Sequence, residues 1–342
     1  MGTGSRSLFC LALPVMTGAH ILITGGAGFI GSHVAEGLLQ QGAHVTALDN
    51  FDPFYPRVLK EANVARLQAY PGFRLLEADI RDQDLAARLD ALPPVTAVIH
   101  LAAKAGVLPS IQDPDGYTDV NIRGTQAILN WMRARGVRKL VFGSSSSVYG
   151  NSPKVPFRED ETPDKPISPY AFTKRACELL TYTWHHLFGL DVLNLRFFTV
   201  YGPGQRPDLA IRKFTDRILQ GQAIPVYGDG STARDYTFVK DIADGVIRAL
   251  QHVVAHEGVY DILNLGNHSP ITLTEMIATL ERVIGQTATI DRQPLQPGDV
   301  TRTWADIARA QALIGYQPQT SFEQGLTQFV AWYKTHQLSS AS

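Results

Sequence analysis

From residue 19 onward, short apolar runs alternate with helix-length segments, and this alternation restricts the fold more than any other property of the chain. "AHILIT" (19–24), "AHVTALD" (43–49), "FRLLEAD" (73–79), "AVIHLAA" (97–103), "RKLVFGS" (138–144), "DVLNLRFF" (191–198) and "YDILNLG" (260–266) read as buried strands. Between the early ones lie segments such as "GSHVAEGLLQQG" and "NIRGTQAILNWMRARG", patterned as helices. Strands separated by helices mean βαβ units and a parallel sheet covered on both faces. Because such crossovers are right-handed, the expected fold class is α/β, a doubly wound (Rossmann) parallel sheet of about seven strands.

After "LRFF" the character changes. "YGPGQRPDLAIRKF", "PVYGDGSTARDY" and "RQPLQPGDVTRT" are rich in Pro, Gly and Arg and arrive in pieces. They predict a smaller, discontinuous lobe over the carboxyl ends of the strands, where ligands of open α/β sheets bind. The expected division is 18–198 and 236–262 for a dinucleotide-binding domain and 199–235 and 263–334 for a substrate-binding lobe. Residues 1–17 read as a disordered extension and 335–342 as a tail.

Composition narrows the function classes. With 342 residues, 44% of them apolar, and a net charge of -1, the chain has material for a sizeable core. It offers neither the basic excess of a nucleic-acid binder nor a polybasic membrane face. Two cysteines, Cys10 and Cys177, make a disulfide framework implausible and predict a reducing, cytoplasmic setting. Neither has a metal-ligand neighbour at suitable spacing, so no metal site is expected. Leu8 to Met16 loosely imitate a signal peptide, but no good cleavage site follows and the run is too short to span a bilayer.

"ILITGGAGFIGSHVAEGLL" places Gly25, Gly28 and Gly31 directly after a strand and at the start of a helix. There the backbone must turn tightly and approach a pyrophosphate held at the helix amino end, where unpaired N–H groups and the dipole favour anions. Asp49 follows Gly31 by 18 residues at the end of the next strand. A carboxylate there accepts from the ribose hydroxyls and repels a 2′-phosphate, favouring NAD over NADP. Asp79 and Ile80, ending the third strand, are candidates to flank the adenine. Phe29, Ile30, Asn50, Leu101, Ala102 and Ala103 complete the expected cofactor contacts.

"SPYAFTKRACELL" contains Tyr170 and Lys174 four apart on one face of a helix. A free tyrosine, with a pKa of about 10, is a poor base at neutral pH. A lysine one turn away, and the positive nicotinamide ring, would stabilise its phenolate. That spacing occurs often by chance. It gains meaning from the serine cluster of "KLVFGSSSSVYG" and from the glycine turn upstream, which supply a hydroxyl relay beside a hydride acceptor.

The ordered motifs "TGGAGFIG", "HLAA", "SSSSVYG", "SPYAFTK", "LRFFTVYGPGQRPDLAIRKF", "GDGSTARDYTFVKDIADG", "NLGN" and "QPGDVTRTWAD", spread over about 19 to 333, resemble the extended short-chain dehydrogenase/reductase family that modifies nucleotide sugars. Within it the chain is most similar to the UDP-glucuronate 4-epimerases. The resemblance implies a tightly bound NAD, a UDP-hexuronic acid substrate, and reversible C4 epimerisation through a 4-keto sugar. It makes Tyr170 the base at the sugar 4-hydroxyl, Lys174 its activator and ribose ligand, and Ser145 a hydrogen-bonding partner of the same hydroxyl. Asn121 would steady this network. Arg234 and Asp299 match positions near the diphosphate and the uridine ribose, and "PDLAIRKF", with Ile211, would wrap the uracil through its backbone. Val226 and Tyr227 complete the implied substrate contacts. Lys104 departs from the family's usual Gln and receives no role.

In dehydratases of the superfamily the serine stretch reads Thr-Asp-Glu, and in the decarboxylases Thr-Ser-Glu. Here Ser145, Ser146 and Ser147 provide no extra acid or base. They would not repel a sugar carboxylate, and their hydroxyls can donate to it. The bland reading is a polar strand end that caps a turn. Thr199 and Arg206 correspond to residues beside the sugar carboxylate in the resembled epimerases; a phosphate contact is the alternative for Arg206. The resemblance also implies a homodimer through a four-helix bundle of segments 117–135 and 169–188, with Ile128, Trp131, Leu179 and Trp184 either at that interface or in the chain's own core. Three other functions stay open: a neutral-sugar 4-epimerase acting on UDP-glucose and UDP-galactose, a decarboxylase or dehydratase, and a noncatalytic NAD-binding sensor.

Overall fold

Seven strands form one parallel sheet in the computed structural model, which describes residues 16–294 and 300–338. They are β1 (His20–Thr24), β2 (His44–Asp49), β3 (Phe73–Glu77), β4 (Ala97–His100), β5 (Lys139–Ser145), β6 (Asp191–Phe197) and, after three lobe strands, β10 (Tyr260–Leu265). Their order is β3-β2-β1-β4-β5-β6-β10. Every pairing is parallel. The direction of winding therefore reverses between β1 and β4, which opens the ligand crevice at their carboxyl ends. Each of the seven runs read as a strand is one.

The helices in chain order are α1 (Phe29–Gln40), α2 (Arg57–Leu67), α3 (Leu85–Asp90), α4 (Val107–Gln112), α5 (Pro114–Thr118), α6 (Gly124–Arg135), α7 (Pro169–Phe188), α8 (Ala210–Leu219), α9 (Val239–Ala255), α10 (Leu273–Ile284), α11 (Ala308–Ile314) and α12 (Phe322–Leu338). α1 and α9 cover one face of the sheet through Val34, Leu38, Ile242 and Val246. α6 and α7 cover the other through Ile128, Leu129, Trp131, Met132 and Cys177. A sheet covered on both faces buries its strands along their length, as β1 and β4 are, and the polar residues within them, such as His20 and His100, are hydrogen-bonded.

The remaining strands build the lobe: β7 (Thr199–Tyr201), β8 (Ile224–Tyr227), β9 (Ala233–Phe238), β11 (Pro270–Thr272) and β12 (Ile290–Gln293). They form a β11-β9-β7 sheet and a β12-β8 pair. A separate core of Phe214, Ile224, Phe238, Met276, Leu280, Leu326 and Phe329 holds it together. Only Phe198 separates β6 from β7, so the chain passes straight from the main sheet into the lobe above the crevice.

The expected domain boundaries shift in two places. β10 continues to Leu265, past the division at 262/263, because its last residues still pair with β6. Ala305, Ile307, Ala310, Ile314 and Tyr316 pack into the main core rather than the lobe. Ile128 and Trp131, at 1% and 6% exposure, belong to the chain's own core and are unavailable to a partner, whereas Leu179 is 53% exposed and Trp184 lies partly against the core. No described helix is long and apolar enough to cross a membrane.

Candidate active site

A cavity of about 510 Å³ opens at the carboxyl ends of the strands. Its first half is the glycine turn. Gly25 has φ +72°, and a Cβ on it would stand 2.8 Å from the Ala102 nitrogen; a Cβ on Gly31 would stand 2.2 Å from the Gly25 oxygen. Neither position admits a side chain. Gly28 N-caps α1, and no side chain caps it, so the first N–H groups of that helix stay available to an anion. Asp49, 5% exposed, accepts from the Ala27 nitrogen through Oδ2, and from the Phe51 nitrogen and Lys60 Nζ through Oδ1. Oδ2 keeps acceptor capacity for a ribose hydroxyl. Asp79 is held to about pKa 2, chiefly by Arg81, and also accepts from Asn50 at 2.8 Å. Phe29, Ile30, Ile80, Leu101, Ala102 and Ala103 line the same half. These residues fit a dinucleotide.

The second half holds the reacting groups. α7 starts where the sequence stops it from starting elsewhere: Ser168 accepts from the Ala171 nitrogen at 3.1 Å, and Pro169 occupies the first turn. That cap aims Tyr170 and Lys174 into the cavity. Burial pushes the Tyr170 phenol up, opposed by the Ser145 hydroxyl and the Arg206 charge. Burial lowers Lys174 to about 8, against the raising influence of Cys177 and Glu178, and Nζ donates to the Gly143 oxygen at 2.7 Å. Lys174 is thereby anchored to β5, the strand that ends in Ser145.

The four serines divide their labour. Ser144 donates to Glu178 Oε1 at 2.7 Å. Ser145 caps the following 3-10 turn by accepting from the Ser147 nitrogen at 3.2 Å, and its hydroxyl reaches Ser147 Oγ at 3.1 Å. Ser145, Ser146 and Ser147 all face the cavity. The hydroxyl that caps the turn therefore also lines the cavity. Thr199 and Arg206 close this end. The Arg206 guanidinium lies 5.1 Å from the centre of the Phe54 ring. Two of its N–H groups are already taken by Asp208, at 3.0 and 2.8 Å, a pairing the sequence reading missed.

Other predicted residues lie elsewhere. Asn121 stands behind the wall, donating to the Lys104 oxygen and to Thr173 Oγ1 and accepting from the Lys104 nitrogen at 2.8 Å. It fixes the loop after β4. Ile211 and Val226 are buried in the lobe core, so only their backbone is free for a ligand. Tyr227 sits at the end of β8 and Arg234 on β9, both outside the cavity wall. Asp299 lies outside the described residues. Lys104, given no role from sequence, lines the cavity and pairs with Asp113 at 2.6 Å. Also missed were Glu178 and Arg196, joined at 2.8 and 2.9 Å behind the serines. "LRFF" and "ACELL" each carried one partner, but no local pattern couples them.

A glycine turn, a carboxylate after β2 and a serine–tyrosine–lysine constellation on this sheet define an enzyme site of the short-chain dehydrogenase/reductase class. The chain belongs to its extended branch: residues 22–329 match the GDP-mannose 4,6 dehydratase family. A UDP-glucuronate 4-epimerase of Thermodesulfobacterium geofontis is 43% identical over 317 residues, covering 92% of this chain and 96% of the relative. Among solved structures, the UDP-glucuronic acid 4-epimerase of Bacillus cereus in complex with UDP-glucuronic acid and NAD superposes with a TM-score of 0.87 at 34% identity, covering 93% of this chain and 99% of that one. A UDP-glucose 4-epimerase of Thermotoga maritima with UDP-glucose reaches 0.85 at 31%, over 93% and 99%.

Proposed function

We propose that this chain is an NAD-dependent nucleotide-sugar 4-epimerase that interconverts UDP-glucuronate and UDP-galacturonate. The observation that carries the acidic-sugar reading is the sugar end of the cavity: Arg206, Thr199, Ser146 and Ser147 line it, and the cavity's acidic lining residues, Asp49, Asp52 and Asp79, lie at the end of β2 and in the loops after β2 and β3. A hexuronate carboxylate placed there meets hydroxyl donors and the Arg206 guanidinium, whose charge it would share with Asp208.

The chain's residues then divide the chemistry as follows. Tyr170 as phenolate takes the 4-hydroxyl proton, directly or through Ser145. Lys174 stabilises the phenolate and is held for that task by the Gly143 carbonyl. Gly25, Gly28, Gly31 and Asp49 would hold an NAD whose nicotinamide, when bound, would supply a reversible hydride acceptor for C4. Tyr170 gives its proton back, so no net oxidation occurs and the cofactor stays resident. A 4-ketone on a hexuronate is a β-keto acid, prone to lose carbon dioxide when its C5–C6 bond aligns with the carbonyl π system. Arg206, Thr199 and the serines hold the carboxylate out of that alignment.

Asp208 favours a second reading. By occupying two N–H groups of Arg206 it weakens the demand for a substrate carboxylate, which suits a neutral UDP-hexose. Incubating the purified protein with UDP-glucuronate, without added NAD, and resolving the nucleotide sugars by ion exchange with mass detection decides between them. UDP-galacturonate at unchanged mass supports the first reading. Turnover of UDP-glucose alone supports the second.

The protein acts as a homodimer in this reading, in a reducing cytoplasm. Phe172, Leu179, Tyr182 and Leu187 are each about half exposed or more along one side of α7, an apolar stripe suited to a second copy of the same helix.

A further inference from the structure

Arg206 reaches the sugar end of the cavity already carrying a carboxylate of its own. Its side chain is 18% exposed and lines the cavity, whereas Asp208, 38% exposed, stands outside the wall. Nε lies 3.0 Å from Oδ1 and Nη2 2.8 Å from Oδ2, a parallel fork that fixes one edge of the guanidinium. Only Pro207 separates the two residues, and its ring removes one backbone rotation from the turn that folds the carboxylate back. The residue before the pair is anchored too: the Gln205 nitrogen donates to the Gly202 oxygen at 3.0 Å, and the Gln205 oxygen accepts from Arg212 Nη1. The guanidinium also lies over the Phe54 ring, 5.1 Å from its centre. A guanidinium has five N–H donors; Asp208 takes two and leaves three, enough for a second carboxylate.

A guanidinium closed in by a bound sugar is costly when it faces an uncharged hydroxymethyl group and compensated when it faces a carboxylate. Without a resident partner, Arg206 would therefore separate acidic from neutral sugars sharply. Asp208 compensates it whichever sugar is bound. The gain from a sugar carboxylate shrinks, because that group shares the cation and lies across it from a like charge, and the penalty for a neutral sugar shrinks as well. We propose that Asp208 is a specificity-determining residue, which acts through Arg206 as a resident carboxylate and narrows the discrimination between acidic and neutral UDP-hexoses. This role depends on the reading of Arg206 given above, as the group that meets the C5 substituent of the sugar. The preference of the site is then graded: UDP-glucuronate binds, and UDP-glucose binds less tightly.

The test is the pair of dissociation constants for UDP-glucuronate and UDP-glucose, measured by calorimetry on the NAD-loaded protein in a Tyr170→Phe background that suppresses turnover. UDP alone, which lacks the sugar, is the control. Asp208→Asn keeps the shape of the fork's partner and removes its charge. It is expected to tighten UDP-glucuronate and weaken UDP-glucose, raising the ratio of the two constants roughly tenfold while UDP changes less than about twofold. Asp208→Ala is expected to move the ratio the same way. An unchanged ratio would overturn the proposal. So would weaker binding of UDP-glucuronate in both variants, since Asp208 would then serve only to aim Arg206, and so would equal losses for all three ligands, which would reduce Asp208 to support for the loop. Arg206→Ala in the same background keeps this apart from failure of the acidic-sugar reading. A ratio that collapses in Arg206→Ala but stays fixed in Asp208→Asn leaves that reading standing and sinks only the role of Asp208, whereas a ratio that neither variant moves sinks both.

Discussion

Glu178 and Arg196 form a fully buried, two-pronged ion pair behind the strand end that carries Ser145, with Nε at 2.8 Å from Oε1 and Nη2 at 2.9 Å from Oε2. Burial works against the Glu178 charge, but Arg196, then Ser144 and Arg175, outweigh it and hold the carboxyl below its ordinary range. Arg196 also lies 4.7 Å over the Tyr149 ring, whose hydroxyl donates to Asn264 at 2.8 Å. One network therefore joins α7, β5, β6 and β10 beneath the serines. Glu178→Gln leaves Arg196 as a buried, uncompensated cation and is expected to destabilise the fold by about 3–5 kcal/mol in denaturant titrations. A loss under 1 kcal/mol would mean that water relieves the charge.

Tyr170 is where the proton is handled. Tyr170→Phe preserves the ring packing against Tyr117, whose centroid lies 6.3 Å away, and removes only the hydroxyl. Turnover should fall on the order of 10²–10⁴-fold with nucleotide-sugar binding kept within a few-fold. Retained turnover would remove Tyr170 from the reaction.

Arg206 and Ser146 bear on product fidelity. In Arg206→Ala or Ser146→Ala the carboxylate of the keto intermediate is held less firmly, and the fraction of UDP-4-keto-pentose should rise. Product ratios measured by mass detection that stay unchanged in both variants would sink this account of the serine cluster.

His100 links β4 to the neighbouring elements as a neutral ring. Thr125 Oγ1 donates to the Asn121 oxygen and so accepts from His100 Nε2 at 2.9 Å, leaving Nδ1 to accept from Thr24 Oγ1 at 2.6 Å. Burial, with a smaller push from Lys174, lowers its pKa to about 3. Between that value and the ordinary 6.5 the unfolded chain binds a proton that the folded chain does not. Stability therefore falls as pH drops through this window, by on the order of 4 kcal/mol from this group. His100→Gln should flatten that part of a stability–pH curve, and an unchanged slope would show the acid sensitivity to originate elsewhere.

Local signals were legible in the sequence, and they were enough for the fold and for much of the site. All seven strands followed from apolar runs, because a sheet covered on both faces demands them. Gly25, Gly28 and Gly31 marked the dinucleotide turn, and at Gly25 and Gly31 no side chain fits. The Ser168–Pro169 start of α7 set the register in which Tyr170 and Lys174 share a face. Each of these depends on residues close together in the chain.

What the sequence did not disclose depends on partners brought together by packing. Lys60 is ordinary in its helix until the turn after β2 delivers it to Asp49. Arg206 read as a free fork until the loop folded Asp208 back onto it. Ala305 to Tyr316 read as lobe, yet the strand order carries them into the main core. Asn121, expected to steady the site network, is placed behind the wall by the helical turn 119–123 that leads into α6, where it bonds the Lys104 backbone and Thr173. The sequence by itself determined the parallel α/β sheet, the dinucleotide turn and the tyrosine–lysine pair, since periodicity and steric exclusion act locally. Only the tertiary structure decided which charges neutralise one another around the cavity, because a buried charge takes its character from whichever element the fold packs against it.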